Sequence, residues 1–570
     1  MTLWGPRAAP DGATRFALWA PALPSLTLEI HGAQPRAMEA GAEGWFLVDA
    51  PASPGTRYRF VLPDGTPVPD PASRAQSGGV HGWSMVLDPA AYEWKTPDWR
   101  GRPWHMAIIQ EVHPGLAGGF RALAADLPRI AALGITAIEL MPIGAFPGAR
   151  NWGYDGVLPF APAESYGNPD DLKALVDTAH TLGLMVLLDV VYNHFGPDGN
   201  YLGVYAPPFF HEDSPTPWGN AVAVDEPAVA AFFIENALMW LEEFHFDGLR
   251  FDAVHAICND AFLDRLAVTI RERIGPDRHI HLILENEANQ AERLGPGLYD
   301  AQWNDDFHNV MHVILTGESE SYYADFSEEP TQRLARCLFE GFIYQGDPSP
   351  NHDGKTRGTP SAHLGPTAFV AFLQNHDQIG NRAFGERLTQ LVDPPRLRAA
   401  TALLLLCPQI PLLFAGDEAG SESPFLFFTD FQDELADAVR EGRRREFTKF
   451  AAFRDEVTRA RIPDPNDPHT FASSYPLPGP DAEGWQRLYR DLISLRRRHV
   501  VPRLPGTRSA GTEVIGEGAV HSAWILGDGS RLNICINLGP ETAAFPPVSG
   551  DILFALGEPG APASIAVWLS

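Results

Sequence analysis

Four short stretches bring carboxylates together with an arginine and histidines. They are Asn193-His194, Arg250-Phe251-Asp252 running on to His255, Glu285-Asn286, and Asn375-His376-Asp377. Each follows a run of apolar and β-branched residues of the kind that forms a buried strand. Such a set has the parts for cleaving a glycosidic bond with retention of configuration. That reaction needs a carboxylate nucleophile and a protonatable carboxyl about 5–5.5 Å away. Asp252 suits the nucleophile, because Arg250, two residues earlier, points to the same side of a strand and can keep it ionised. Glu285, on the next strand, suits the general acid/base, provided a like charge or desolvation raises its pKa. Asp377 would be the third carboxylate, gripping sugar hydroxyls and distorting the ring, with His194 and His376 donating to hydroxyls of the same ring. Taken singly, an Asp at a strand end is more often a helix cap, and an Arg-Asp pair more often a structural ion pair. Four strand ends together make coincidence the weaker explanation.

The elements that must position these residues can be read from periodicity. Apolar strand candidates occur at Met106–Val112, Ile135–Leu140, Leu184–Val191, Phe246–Phe251, Ile280–Leu284, Asp300–Trp303, Thr367–Gln374 and Pro411–Phe414. Helical patterns alternate with them, as at Ala122–Leu133, Asp170–Leu182, Val229–Phe244 and Asp260–Ile274. Alternating β and α units with mostly apolar strands mean a parallel sheet covered on both faces. Eight strands suit a closed (β/α)₈ TIM barrel, although an open doubly wound sheet fits the same string. The span exceeds the usual barrel of about 250 residues, so insertions are expected, at 195–225, 307–366 and 417–480. In such a barrel the functional groups gather where strands end, which is where the four motifs stand.

Residues 1–98 read as a small immunoglobulin-like β-sandwich, with short strands at Phe16–Trp19, Leu26–Ile30, Trp45–Val48 and Tyr58–Leu62 between Gly, Pro and Asp clusters. Residues 99–500 hold the barrel. Residues 501–570 read as a small all-β domain, in which Asp528-Gly529 makes a hairpin turn between Ser522–Leu526 and Asn533–Leu538.

The chain has 570 residues, 43 Lys plus Arg against 72 Asp plus Glu, and a formal net charge of −29. That length implies roughly three or four domains. The acidity speaks against a nucleic-acid partner, which needs clustered basic residues. No apolar run is long and unbroken enough to span a membrane, and the first ten residues show no secretory signal. The four cysteines, Cys258, Cys337, Cys407 and Cys535, have neither metal-ligand nor redox spacing, so free thiols in a cytoplasmic protein are expected. His279-x-His281 opens a strand and is expected at the far end of the barrel in a structural role. No metal and no cofactor are expected. Trp152, Tyr154, Tyr201, Tyr205 and Trp218 offer faces on which pyranose rings could stack, with core packing as good an account of any one of them.

With Asp189-Val190-Val191-Tyr192-Asn193-His194, Gly248-Leu249-Arg250-Phe251-Asp252, Glu285 and Asn375-His376-Asp377 in view, the chain resembles the α-amylase superfamily, whose four sequence regions these match. The resemblance covers the barrel and, with the flanking β-domains, nearly the whole chain. It implies Asp252 as nucleophile, Glu285 as proton donor and Asp377 as transition-state stabiliser. It further implies that Tyr154, His194, Arg250 and His376 surround the sugar at the cleavage site and that His255 faces the leaving group. With Trp152 these make the expected substrate-binding set.

Within the superfamily, the stretches Asn151-Trp152-Gly153-Tyr154-Asp155-Gly156, Gln302 to His308, Gln374 to Arg387 and Pro424 to Asp430 resemble the branch that releases trehalose. That branch cuts the α-1,4 bond next to the terminal trehalose of maltooligosyl trehalose, downstream of a synthase that isomerises the reducing end. Two further readings compete: a glycogen branching or debranching enzyme or general α-amylase, and a non-catalytic glucan-binding protein. The last ranks far below, because all three carboxylates are present.

Overall fold

Alternation along eight short parallel strands decides what faces the centre of this molecule. The computed structural model describes residues 3–9, 12–216, 219–257 and 259–570, which leaves Trp218 and Cys258 outside the described residues. Its central sheet is a closed barrel of β1 (Ile109–Val112), β2 (Ala137–Leu140), β3 (Met185–Val190), β4 (Gly248–Phe251), β5 (His281–Leu284), β6 (Ala301–Trp303), β7 (Phe369–Ala371) and β8 (Ile410–Phe414). All neighbours are parallel, and β8 closes on β1 with Ile109 opposite Leu412. The doubly wound alternative is thereby set aside. Seven of the strands lie within the spans expected from sequence, and β8 begins one residue earlier than expected, at Ile410.

In a strand every second side chain points to the same face. Ile109, Ala137, Met185, Leu187, Ile283, Ala301, Trp303, Val370, Phe372 and Leu412 accordingly form one apolar cluster that fills the lumen. The intervening residues, such as Ile138, Leu140, Val186, Leu188 and Leu282, join the larger cluster between strands and helices. Following the lumen positions along the chain direction, hydrocarbon gives way to charge: Ile109 to Glu111, Ala137 to Glu139, Leu187 to Asp189, Ile283 to Glu285. The polar layer therefore sits at the C-terminal mouth, on a packed apolar floor.

Two antiparallel sheets precede the barrel. One orders Arg7–Ala8, Thr14–Trp19, Trp45–Ala50 and Glu39–Ala40; the other is built around Thr27–Ile30 and Arg57–Val61. They dock on the helix Pro227–Glu242, where Arg74 pairs with Glu243 at 2.9 Å and the Trp4 indole donates to the Ala228 carbonyl. At the other end a five-stranded antiparallel sheet spans Arg508 to Leu569, with Gly529 in the left-handed region at the expected hairpin. His281 opens β5 and bonds the Arg102 carbonyl at 2.8 Å, at the end of the barrel away from the carboxylates.

Candidate active site

The ladder between β4 and β5 runs one rung past the strands. The Glu285 amide donates to the Phe251 carbonyl, and the Asp252 amide to the Val190 carbonyl of β3, both at 3.0 Å. These bonds fix Asp252 and Glu285 side by side at the mouth. The chain then turns sharply, because Ala253 adopts φ 40°, ψ 49°, the left-handed region that a residue with a Cβ rarely enters. That turn aims the Ala253 amide at Glu285, whose Oε2 accepts it at 2.5 Å.

Arg250, buried in the lumen, organises the charges around it. Its Nη1 lies 2.7 Å from Asp252 Oδ1 and 2.9 and 2.8 Å from the two oxygens of Asp189, while Nη2 lies 3.8 Å from Glu285. The guanidinium also stands 4.1 Å over the Trp303 ring. Burial, above all, pushes the Asp189 carboxyl up to about 6, with the Arg250 charge opposing it. Glu285 is pushed up to about 7, by burial first and then by the Asp252 and Asp377 charges, against Arg250 and the Ala253 amide.

After β7 the side chain of Asn375 caps the short helix His376–Gly380, accepting from the Asp377 amide at 2.9 Å. The cap sets both following side chains. His376 Nδ1 meets Glu111, and its Nε2 lies 2.8 Å from the Tyr154 hydroxyl, which donates to Asp189 at 2.6 Å. Burial works against protonation of His376, but the Glu111 charge and hydrogen bond outweigh it and raise its pKa. Asp377 is pushed up by burial, with the His376 and Arg250 charges opposing, and accepts from Asn381 at 2.6 Å. His194 points its Nε2 to the Tyr154 carbonyl at 2.9 Å, and burial favours its neutral form.

Asp252, Glu285, Asp377, Arg250, Tyr154, His194 and His376 are thus brought together at one end of the barrel. His255 stands at the rim with Glu287, at 3.8 Å. Trp152 lies behind the others: its indole donates to the Leu426 carbonyl, and its ring packs on Phe425, Phe427 and His376. Two aromatic residues considered for sugar stacking stand elsewhere. Tyr205 is buried in the core, and the Tyr201 hydroxyl bonds His81 of the N-terminal sheets at 2.7 Å. Among the described residues no group of three or more His, Cys, Asp or Glu could hold a metal ion.

Sequence reasoning passed over Glu111, Glu139 and Trp303 as parts of this layer. The signal was there: an acid interrupts an apolar strand two residues after a lumen position, as at Ile109/Glu111 and Ala137/Glu139. Glu139 is fully buried, neither oxygen has a hydrogen-bond partner among the described residues, and burial holds it well above the usual carboxylate range. His113, after β1, also has a structural job. Its Nδ1 accepts from the Leu116 amide and its Nε2 meets the Asn151 carbonyl, which anchors the loop leading to Trp152 and Tyr154.

Residues 89–204 match the family described as alpha amylase, catalytic domain, and residues 507–568 match a domain of unknown function, DUF3459. The malto-oligosyltrehalose trehalohydrolase of Deinococcus radiodurans is 41% identical over 562 residues, covering 95% of this chain and 90% of that protein. The chain belongs to the malto-oligosyltrehalose trehalohydrolase family. The member from Saccharolobus solfataricus is 42% identical over 452 residues, covering 76% of this chain and 79% of its own. A crystal structure described as a putative alpha amylase from Salmonella typhimurium superposes with a TM-score of 0.94 at 43% identity over the full length of both chains. Family membership therefore extends over the flanking sheets as well as the barrel.

Proposed function

We propose that this protein hydrolyses the α-1,4-glucosidic bond next to the terminal trehalose of maltooligosyl trehalose, with retention of configuration, releasing trehalose and a shortened maltooligosaccharide. The observation that carries the chemistry is the division of labour around Arg250. Asp252 is bonded to the guanidinium, while Glu285, one strand over, keeps its proton up to about 7. The names of the relatives carry the choice of leaving group.

In the first step Glu285 gives its proton to the glycosidic oxygen as an Asp252 oxygen bonds to the anomeric carbon and the C–O bond breaks, freeing trehalose. In the second, the Glu285 carboxylate takes a proton from water, whose oxygen attacks the anomeric carbon and displaces Asp252. Asp377 and His376 hold hydroxyls of the distorted sugar, and Tyr154 and His194 wall the same ring. Hydrogen bonds that tighten as the ring flattens lower the barrier where ground-state binding would not.

Such an enzyme would act after a synthase that creates the trehalose end, and we place it in the cytoplasm. The free, buried thiols of Cys337, Cys407 and Cys535 accord with a reducing compartment. The test is product analysis with maltopentaosyl-trehalose and with maltoheptaose. Rapid release of trehalose from the first, with little cutting of the second and an α-anomeric new reducing end, is the expected result. Equal cutting of both would make it a general amylase, and new branch points without trehalose would make it a branching enzyme.

A further inference from the structure

Glu111 is a buried acid on β1, across the barrel from the strands that deliver Asp252 and Glu285, and the reaction described above gives it no part. Both its oxygens face one residue. Oε2 accepts from the His376 backbone amide at 3.0 Å, and Oε1 meets the His376 Nδ1. From there a line of bonded side chains crosses the mouth. His376 Nε2 lies 2.8 Å from the Tyr154 hydroxyl, which donates to Asp189 at 2.6 Å. Asp189 takes Arg250 Nη1 at 2.8 Å, and the same nitrogen lies 2.7 Å from Asp252. The line thus joins β1 to the nucleophile on β4.

An acid beside the first amide of a helix is often only a cap. One oxygen suffices for that, and Asn375 already caps the helix His376–Gly380. The second oxygen of Glu111 does something a cap does not require. A carboxylate accepts and never donates, so the hydrogen between the two side chains belongs to Nδ1. The bond made by one ring nitrogen of a histidine fixes the tautomer, and with it what the other nitrogen offers.

The surroundings of the His376 ring fix its plane. Tyr154 stacks on it with centroids 5.1 Å apart, Trp152 stands edge-on at 5.5 Å, and Trp303 tilts against it at 6.1 Å. Packing of this kind does not distinguish the two edges of an imidazole, since a half-turn of the ring fills the same space. The bonds at its two ends do distinguish them. Glu111, His376, Asp189 and Arg250 are all buried, so water does not replace a link that is lost.

Resting on the function proposed above, we propose that Glu111 is a positioning residue of this reaction: by taking the Nδ1 hydrogen of His376 it fixes the tautomer and orientation of the imidazole, aims Nε2 at Tyr154 and, through Asp189 and Arg250, helps set Asp252. The experiment compares wild type, E111Q, Y154F and the double variant on maltopentaosyl-trehalose, with thermal melts as a control for folding. Gln keeps an oxygen for the His376 amide but turns an N–H toward Nδ1, so it preserves the cap and reverses the donor. E111Q should lower kcat about tenfold or more with KM nearly unchanged, the loss of a hydrogen bond to a charged group. In Y154F, where the line is already cut, the same change should cost no more than about threefold. NMR of histidine-labelled protein, with the His376 signal assigned by its loss in H376N, should show a hydrogen on Nδ1 in the wild type and on Nε2 alone in E111Q. Wild-type kcat in E111Q, a full loss repeated in the Y154F background, or a wild-type His376 bare at Nδ1 overturns the proposal. Should E111Q fold poorly, the wild-type tautomer still decides. A wild type that releases no trehalose overturns the assigned reaction instead, and the tautomer, read without substrate, decides the role of Glu111 separately.

Discussion

Arg250 and Asp252 are two residues apart on one strand, and their side chains meet at 2.7 Å in the lumen of the barrel. The same guanidinium nitrogen holds both oxygens of Asp189, so one buried cation sets two carboxylates at once. Replacing Arg250 with Ala leaves both uncompensated. Breaking a buried pair in this way costs about 3–5 kcal/mol, so R250A should melt well below wild type and lose activity. R250K should fold better and still be slow, because an ammonium lacks the planar group that stands over the Trp303 ring while reaching both carboxylates. Thermal melts and steady-state rates on the same preparations check both.

Asp252→Asn, Glu285→Gln and Asp377→Asn remove groups that act on the transition state. Each should lower kcat by several orders of magnitude with the circular dichroism spectrum unchanged. Added azide should rescue a small-residue Asp252 variant with inversion of configuration, since the anion takes the nucleophile's place. Near-normal turnover in any of the three would remove that residue from the mechanism.

Glu285 must be protonated to act as the acid, so kcat/KM should fall as pH rises through about 7. The same carboxyl has a stability consequence. Its folded pKa lies above the unfolded value of about 4.3, so its favourable contribution is complete below that value and is lost as pH rises through about 7. E285Q should therefore gain melting temperature relative to wild type as the pH is raised, by the equivalent of on the order of 4 kcal/mol above neutrality. A difference in melting temperature that stays flat with pH would show that Glu285 titrates normally.

Gly153 separates Trp152 from Tyr154 and sits at φ +106°, where a Cβ would lie 2.1 Å from the Pro142 carbonyl oxygen. Gly153→Ala should destabilise the protein by roughly 2 kcal/mol or more. It should also lower kcat, because Tyr154 would lose its bonds to Asp189 and His376. Ala253→Gly is the opposite case, relieving left-handed strain beside the nucleophile. It should leave stability unchanged or raised, and any loss of kcat would measure how much the rigid turn contributes to placing Glu285.

The sequence by itself determined a parallel α/β sheet and the end at which its chemistry gathers, and closure into a barrel was decided by the tertiary structure. Apolar strands alternating with amphipathic helices leave few arrangements, and Asp252, Glu285 and Asp377 each follow a strand directly, so strand direction alone sends them to one end. Arg250 was legible for a similar reason, since a two-residue step on a strand returns to the same face. Only the tertiary structure decided how the strands stagger. Register, which depends on packing across the whole lumen, sets Glu111 beside Glu139 and Asp189 beside Arg250, and no local pattern encodes it. It also decided the aromatics. Trp152, Tyr201 and Tyr205 look alike as loop residues near a site, yet the partners that occupy Trp152 and Tyr201 come from Leu426 and His81, far away in the chain, and Tyr205 is closed off in the core. Adjacent acids were likewise indistinguishable in sequence: Asp306 is taken by Arg357, a residue fifty-one positions on, whereas Asp305 beside it is not. A side chain's type and its place on an element are local properties, whereas what it touches depends on which distant segments the fold brings to it.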